Sequence, residues 1–387
     1  DDSAYGFAYR KNFSARDVPF LIFDQTMFIP GAGQLLNLEE NKSRRVSFKV
    51  NSLGFRGPEF TPKKRDPRAI RIFASGGSTT ACVSVSEEET WPQVLERELK
   101  NLGHNVEVIN AGVGGWYSYQ ERRRFEQEII NYEPDIVLLH QGWNEEFVYS
   151  MNNLGKSWRP GLLMNAVELG SMYSRVGRLF SSTASLYFYY LATAYFMDLR
   201  FRANMRATNS ARWDCLRSAA YLEHWFDNLM AIAKIAGDHG IKLFTLNAPG
   251  LCNFSDLPAD RALYVEESPR LNKYFADYLA IAEKRVQKTL QETSPIIPNL
   301  DLDRALAPCR GRERLDLFYD YMHLSPAGNR WFAKTLGEHL VTLGAFSNPG
   351  SNVQYNEAQA AAIRRTIGTN YDYLDEFIDR TVQRLKH

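Results

Sequence analysis

Five positions carry the residue types that acyl-transfer chemistry needs. Ser78 lies in Ile70-Arg-Ile-Phe-Ala-Ser-Gly-Gly-Ser-Thr-Thr80, where a short apolar run meets two glycines. Asp320 and His323 stand in Asp316-Leu-Phe-Tyr-Asp-Tyr-Met-His-Leu-Ser-Pro326. Gly115 closes Asn110-Ala-Gly-Val-Gly-Gly, and Asn144 belongs to Gln141-Gly-Trp-Asn-Glu145. A serine hydroxyl is a poor nucleophile until a base takes its proton. A histidine can be that base, and an aspartate can hold its tautomer and stabilise its charged form. The tetrahedral intermediate also needs donors for its oxyanion, which the Ser78 N–H, the Gly115 N–H and the Asn144 side-chain amide can supply.

Each feature has a plainer reading taken singly. Glycine–serine turns are common, Asn144 suits a turn or cap, and a lone histidine is more often structural than catalytic. Asp316 competes with Asp320 as the partner of His323. The i to i−3 spacing favours Asp320, since it leaves no free loop to reorganise.

The elements around these residues bring them to one place. Short apolar runs at Ile70–Ala74, Val106–Ile109, Asp135–His140 and Ile241–Asn247, with a weaker one at Ile296–Leu300, read as parallel strands buried on both faces. Amphipathic helices fall between them. Trp91, Val94, Leu95, Leu99 and Leu102 form one stripe that Gly103 closes, and residues 117–131, 214–238, 270–291 and 326–343 read likewise. Alternating strands and helices predict a three-layer α/β/α fold with a mostly parallel, about five-stranded sheet. In such sheets the working site lies beyond the carboxyl ends of the strands. Ser78, Gly115 and Asn144 all follow strand exits, and His323 precedes the helix beginning at Pro326.

Outside this repeat, residues 1–66 read as a β-rich N-terminal extension that packs on the core and includes Phe20–Phe23 and Val46–Val50. The main α/β domain spans 67–350, and 351–387 adds a pair of C-terminal helices, the second beginning near Thr369-Asn370. An aromatic insertion at 148–213 interrupts the domain. Its 185–202 stretch is too short and tyrosine-rich for a membrane span and reads as a lid or buried helix, with an interfacial helix touching lipid as the alternative.

The 387 residues are 44% hydrophobic and 24% charged, with a net charge of +1, as in an ordinary globular protein with a substantial core. That balance gives no electrostatic case for nucleic acid, and Arg122-Arg123-Arg124, set among glutamates, reads as a solvated helix face. Cys82, Cys215, Cys252 and Cys309 lack metal-ligand spacing, so no metal site is expected. Four free thiols is the simplest reading, with a Cys252–Cys309 pair as the alternative in an oxidising compartment. The chain opens Asp1-Asp2-Ser3 without a methionine, which leaves room for a removed upstream segment.

The four segments together, in this order, resemble the signature blocks of the SGNH (GDSL-like) hydrolase superfamily. The resemblance covers 68–147 and roughly 240–343. The serine of the first block matches Ser78, the glycine of the second Gly115, the asparagine of the third Asn144, and the last block Asp320 and His323. Gly77 departs from the commoner Asp before the serine, Glu145 stands where an Asp often follows the asparagine, and Cys82 fills a position that is often small. The resemblance implies a flavodoxin-like fold and a serine hydrolase with no metal or organic cofactor. Its substrate would be a small-molecule or carbohydrate acyl ester, such as an O-acetyl group. An O-acyltransferase using the same acyl-enzyme is the first alternative, and a non-catalytic glycan- or partner-binding module the second. Trp116, Tyr117, Tyr119 and Trp143 flank the expected site and are candidates to line it. The segment Asn51-Ser-Leu-Gly-Phe-Arg-Gly57 resembles an extension of some bacterial members that are often extracytoplasmic or membrane-tethered, which implies such a location here. Oligomeric state is left open.

Overall fold

The computed structural model describes residues 8–19, 45–142, 144–145, 220–247, 249–251, 273–320, 322–347 and 350–367, with side chains omitted for 17–19 and 273–281. The expected Phe20–Phe23 strand, Trp143, Cys215, Cys252, the 148–213 insertion and the helix from Thr369 lie outside these residues.

Five parallel strands form the core sheet: β3 (Ile70–Gly76), β4 (Val106–Asn110), β5 (Ile136–His140), β6 (Lys242–Leu246) and β7 (Asn299–Leu300). Their order is β4-β3-β5-β6-β7. Ile72, Phe73 and Ala74 of β3 and Ile136, Val137 and Leu138 of β5 are fully buried. A continuous apolar run suits a strand covered on both faces, since neither face meets water. The seventh strand is shorter than its apolar run suggests. The N–H groups of Ile296 and Ile297 turn back to the Thr293 carbonyl, so they are not available to a sheet.

Two groups of helices clothe the sheet. On one side α2 (Trp91–Asn101) packs against α8 (Pro326–Thr342). On the other, α3 (Ser118–Gln127), α4 (Ala220–Asp238), α5 (Lys273–Thr293) and α9 (Glu357–Thr366) pack together. The remaining helices are short: α1 (Ser78–Ala81), α6 (Leu302–Leu306) and α7 (Gly311–Asp316). Among the described residues no helix is long and apolar enough to cross a membrane.

Trp91, Val94, Leu95 and Leu99 form the buried stripe of α2, but Leu102 is 58% exposed. Leu102 caps the helix, where the chain leaves the helical period. Gly103 follows with φ +88°; its N–H bonds to the Lys100 carbonyl and that of His104 to Leu99. This paired closure needs a left-handed residue, which glycine adopts without steric cost.

The N-terminal extension contributes a two-stranded antiparallel sheet, β1 (Ser14–Pro19) with β2 (Arg45–Lys49). Asn51 then organises a tight turn, its Oδ1 accepting the N–H groups of Leu53 and Phe55. Arg56 bridges to Asn110 at the end of β4, so the extension joins the main sheet beside the strand exits.

Candidate active site

Strand order places the site. β4 and β5 lie on opposite sides of β3, so the strand order reverses around β3, and in parallel sheets the working site lies beyond the carboxyl end of the strand at such a point. Ser78 stands at that point as the first residue of α1. The two preceding glycines are required by close approach. A Cβ on Gly76 would lie 2.2 Å from Thr80 Oγ1 and 2.5 Å from the His140 carbonyl oxygen. One on Gly77 would lie 2.6 Å from Asn144 Nδ2 and 3.1 Å from the Trp116 carbonyl oxygen. The aspartate common before such a serine would here force the Asn144 amide to shift.

His323 reaches Ser78 from the last loop. Its Nε2 is 2.9 Å from Ser78 Oγ, and its Nδ1 is 2.7 Å from Asp320 Oδ2. Asp320 Oδ1 accepts the backbone N–H groups of Met322, at 2.8 Å, and His323, at 2.7 Å. Burial works against the charge on Asp320, yet His323 and these hydrogen bonds hold its carboxyl below the usual range. With Nδ1–H engaged by Asp320, Nε2 is left to accept the serine proton.

The loop carrying this pair is held at both ends. The Tyr319 N–H bonds to the His323 carbonyl. Ser325 caps α8 by accepting the Gly328 N–H and donates its hydroxyl to the Asp316 carbonyl. Asp316 thus meets the loop through its backbone, and the carboxylate on the imidazole belongs to Asp320.

Gly115 sits in a turn closed by the Trp116 N–H on the Val113 carbonyl, with φ +81°. Asn144 follows β5, and its Nδ2 donates to the Trp116 carbonyl at 2.7 Å. That bond leaves the second amide hydrogen for another acceptor. The Trp116 ring is 1% exposed and packs on Val113, so it offers no face to a substrate. Tyr119 is exposed and its ring stacks on that of Tyr117, with centroids 6.3 Å apart.

Several supporting residues carry no local signal in the sequence. The Tyr9 hydroxyl accepts the Gly114 N–H at 3.0 Å, tying the extension to the glycine loop. Arg56 is buried and donates to the carbonyls of Ala81, Cys82 and Val85. Arg124, expected on a solvated face, is buried: it lies 3.9 Å over the Phe55 ring and bonds to the carbonyls of Gly54 and Ala111. Its neighbours Arg122 and Arg123 pair with Glu126. Such contacts join segments far apart in the chain, so no spacing announces them.

Burial also sets the neighbouring charges. The Cys82 thiol is pushed up to about 12, which leaves it protonated and unreactive. Cys309 is a free thiol as well. Behind the Asn144 loop, burial pushes Glu145 up to about 7 and Glu121 up to about 8. Among the described residues no group of three or more His, Cys, Asp or Glu side chains is placed to hold a metal ion.

A match to the GDSL-like Lipase/Acylhydrolase family runs over residues 74–331, well over half of the chain, and spans the segments that carry Ser78, Gly115, Asn144, Asp320 and His323. The chain belongs to that family. It is 29% identical over 75 residues to an arylesterase of Vibrio mimicus, a match covering 19% of this chain and 38% of that protein's length. Among solved structures, an acetyl xylan esterase is similar at 16% identity, covering 70% of this chain and 100% of its own, with a TM-score of 0.40. An acetylxylan esterase from Geobacillus stearothermophilus is similar at 13% identity, covering 71% of this chain and 94% of its own, with a TM-score of 0.38.

Proposed function

We propose that this family member is a serine esterase that cleaves an O-acyl ester through an acyl-enzyme on Ser78. The observation that supports this most is the Asp320–His323–Ser78 chain, with its 2.7 Å and 2.9 Å contacts. His323 Nε2 takes the proton from Ser78 Oγ as the oxygen attacks the carbonyl carbon. The oxyanion that forms is held by the Ser78 N–H, the Gly115 N–H and the second amide hydrogen of Asn144. Collapse breaks the ester C–O bond, and the departing alcohol takes its proton from His323. Water, deprotonated in turn by His323, then attacks the acyl-enzyme and releases the acid with Ser78 restored. Asp320 keeps its charge throughout and stabilises the imidazolium.

Exposed Tyr119, stacked on half-buried Tyr117 close to Gly115 in the chain, provides an aromatic face for a sugar or aryl leaving group. The match to an arylesterase makes an aryl acetate the first probe. Reaction with a fluorophosphonate should label Ser78 and stop aryl acetate hydrolysis. Ser78→Ala should abolish labelling and His323→Ala should weaken it. A native protein that is neither labelled nor active would refute the reading. Adding alcohols to the same assay tests acyl transfer, because an acyltransferase forms the new ester in preference to the free acid.

A further inference from the structure

The glycine loop and the Asn144 loop come from different strands, yet two donors to one oxyanion must keep a fixed separation. Glu145 joins these loops. Its Oε1 accepts the Ser118 N–H at 2.7 Å and its Oε2 accepts the Ser118 hydroxyl at 2.9 Å. The adjacent Asn144 bonds to Trp116, so residues 144–145 grip residues 116–118 at three points. Glu145 is 3% exposed, and among the described residues no cation pairs with it. Its charge is met instead by Ser118, the first residue of α3, where an unpaired backbone N–H and the positive end of the helix favour a carboxylate. The Ser118 hydroxyl in turn accepts from Asn228 Nδ2 at 3.0 Å, which fixes its proton toward Glu145.

We propose that Glu145 is a positioning residue for the reaction, a carboxylate clamp that sets the distance between the Gly115 N–H and the Asn144 amide. The proposal rests on the reading that these two groups hold the oxyanion. A clamp of this kind acts on the transition state, because substrate binding does not need both donors aligned. A side-chain amide cannot replace it. Glu145→Gln can still accept the Ser118 N–H, but it sets an N–H₂ group against the Ser118 hydroxyl, which must then turn its own proton away.

The test measures aryl acetate hydrolysis at about pH 8, above the raised Glu145 value, with thermal unfolding followed in parallel. Glu145→Gln and Glu145→Ala should lower kcat by roughly 10- to 100-fold with KM changed less than about threefold, the scale expected when a catalytic group moves by a fraction of an ångström. Glu145→Asp keeps the charge and should recover most of the loss. Ser118→Ala removes one of the two donors and should cost less. Combined with Glu145→Gln it should add little, which keeps the proposal falsifiable if the Glu145 variants fold poorly. A folded Glu145→Gln protein with native kcat overturns the clamp and leaves the esterase reading standing, as does a Ser118→Ala protein whose loss adds in full to that of Glu145→Gln. A native protein that neither hydrolyses the ester nor labels at Ser78 overturns both.

Discussion

Arg56 Nη2 donates to the carbonyl oxygen of Val85 at 2.5 Å, across the loop that leaves the Ser78 helix. The same guanidinium serves the carbonyls of Ala81 and Cys82 and lies 4.4 Å from the Phe48 ring centroid. One residue of the N-terminal extension thereby closes the far end of α1, whose near end carries Ser78, the proposed nucleophile. Arg56→Ala should lower stability by about 3 kcal/mol or more, since each buried carbonyl would lose a charge-assisted bond. Arg56→Lys should recover little, because an ammonium cannot reproduce the planar fork. Urea midpoints for the two variants check this.

Gly77→Asp should not move the chain toward a more active member of its family. The new Cβ would lie 2.6 Å from Asn144 Nδ2 and displace the amide from the Trp116 carbonyl. A loss in kcat of about 100-fold is expected from such a displacement, and Gly77→Ala should show much of it. Steady-state kinetics of both variants decide the matter, and native activity in Gly77→Ala would exclude a steric role for Gly77.

Asp320→Asn should reduce kcat by as much as ~10⁴-fold, through the wrong imidazole tautomer and the lost charge. Asp316→Asn should leave activity within about tenfold, because Asp316 meets the histidine loop through its carbonyl. A larger loss in Asp316→Asn than in Asp320→Asn would reverse the assignment.

Glu121 makes stability depend on pH. Burial, reinforced by Glu145, raises its carboxyl from 4.5 to about 8. Between those values the folded protein holds a proton that the unfolded chain has released. Its contribution is fully present below pH 4.5 and is lost as pH rises through about 8. Thermal unfolding should therefore occur at progressively lower temperature from about pH 5 to about pH 9. In Glu121→Gln, which retains an acceptor for Gln141 Nε2, that decline should be smaller. Equal slopes in the two proteins would show that Glu121 ionises freely in the fold.

The local pattern of the chain is enough to place the strands, because a buried parallel strand must be apolar on both faces whatever its neighbours are. Ile72–Ala74 and Ile136–Leu139 are legible for that reason. Asp320 and His323 are legible as well, since a separation of three positions puts the carboxylate within reach of the ring. Tertiary structure decided the rest. Arg124 looks like a surface charge until Phe55 and the Gly54 carbonyl cover it. Tyr9, Arg56 and Glu145 act on groups held by distant segments. The amino-acid sequence by itself determined which groups can react, because that depends on residue type and near neighbours. Their spacing to one another was left to the fold, because a hydrogen bond between remote segments leaves no periodicity in the chain.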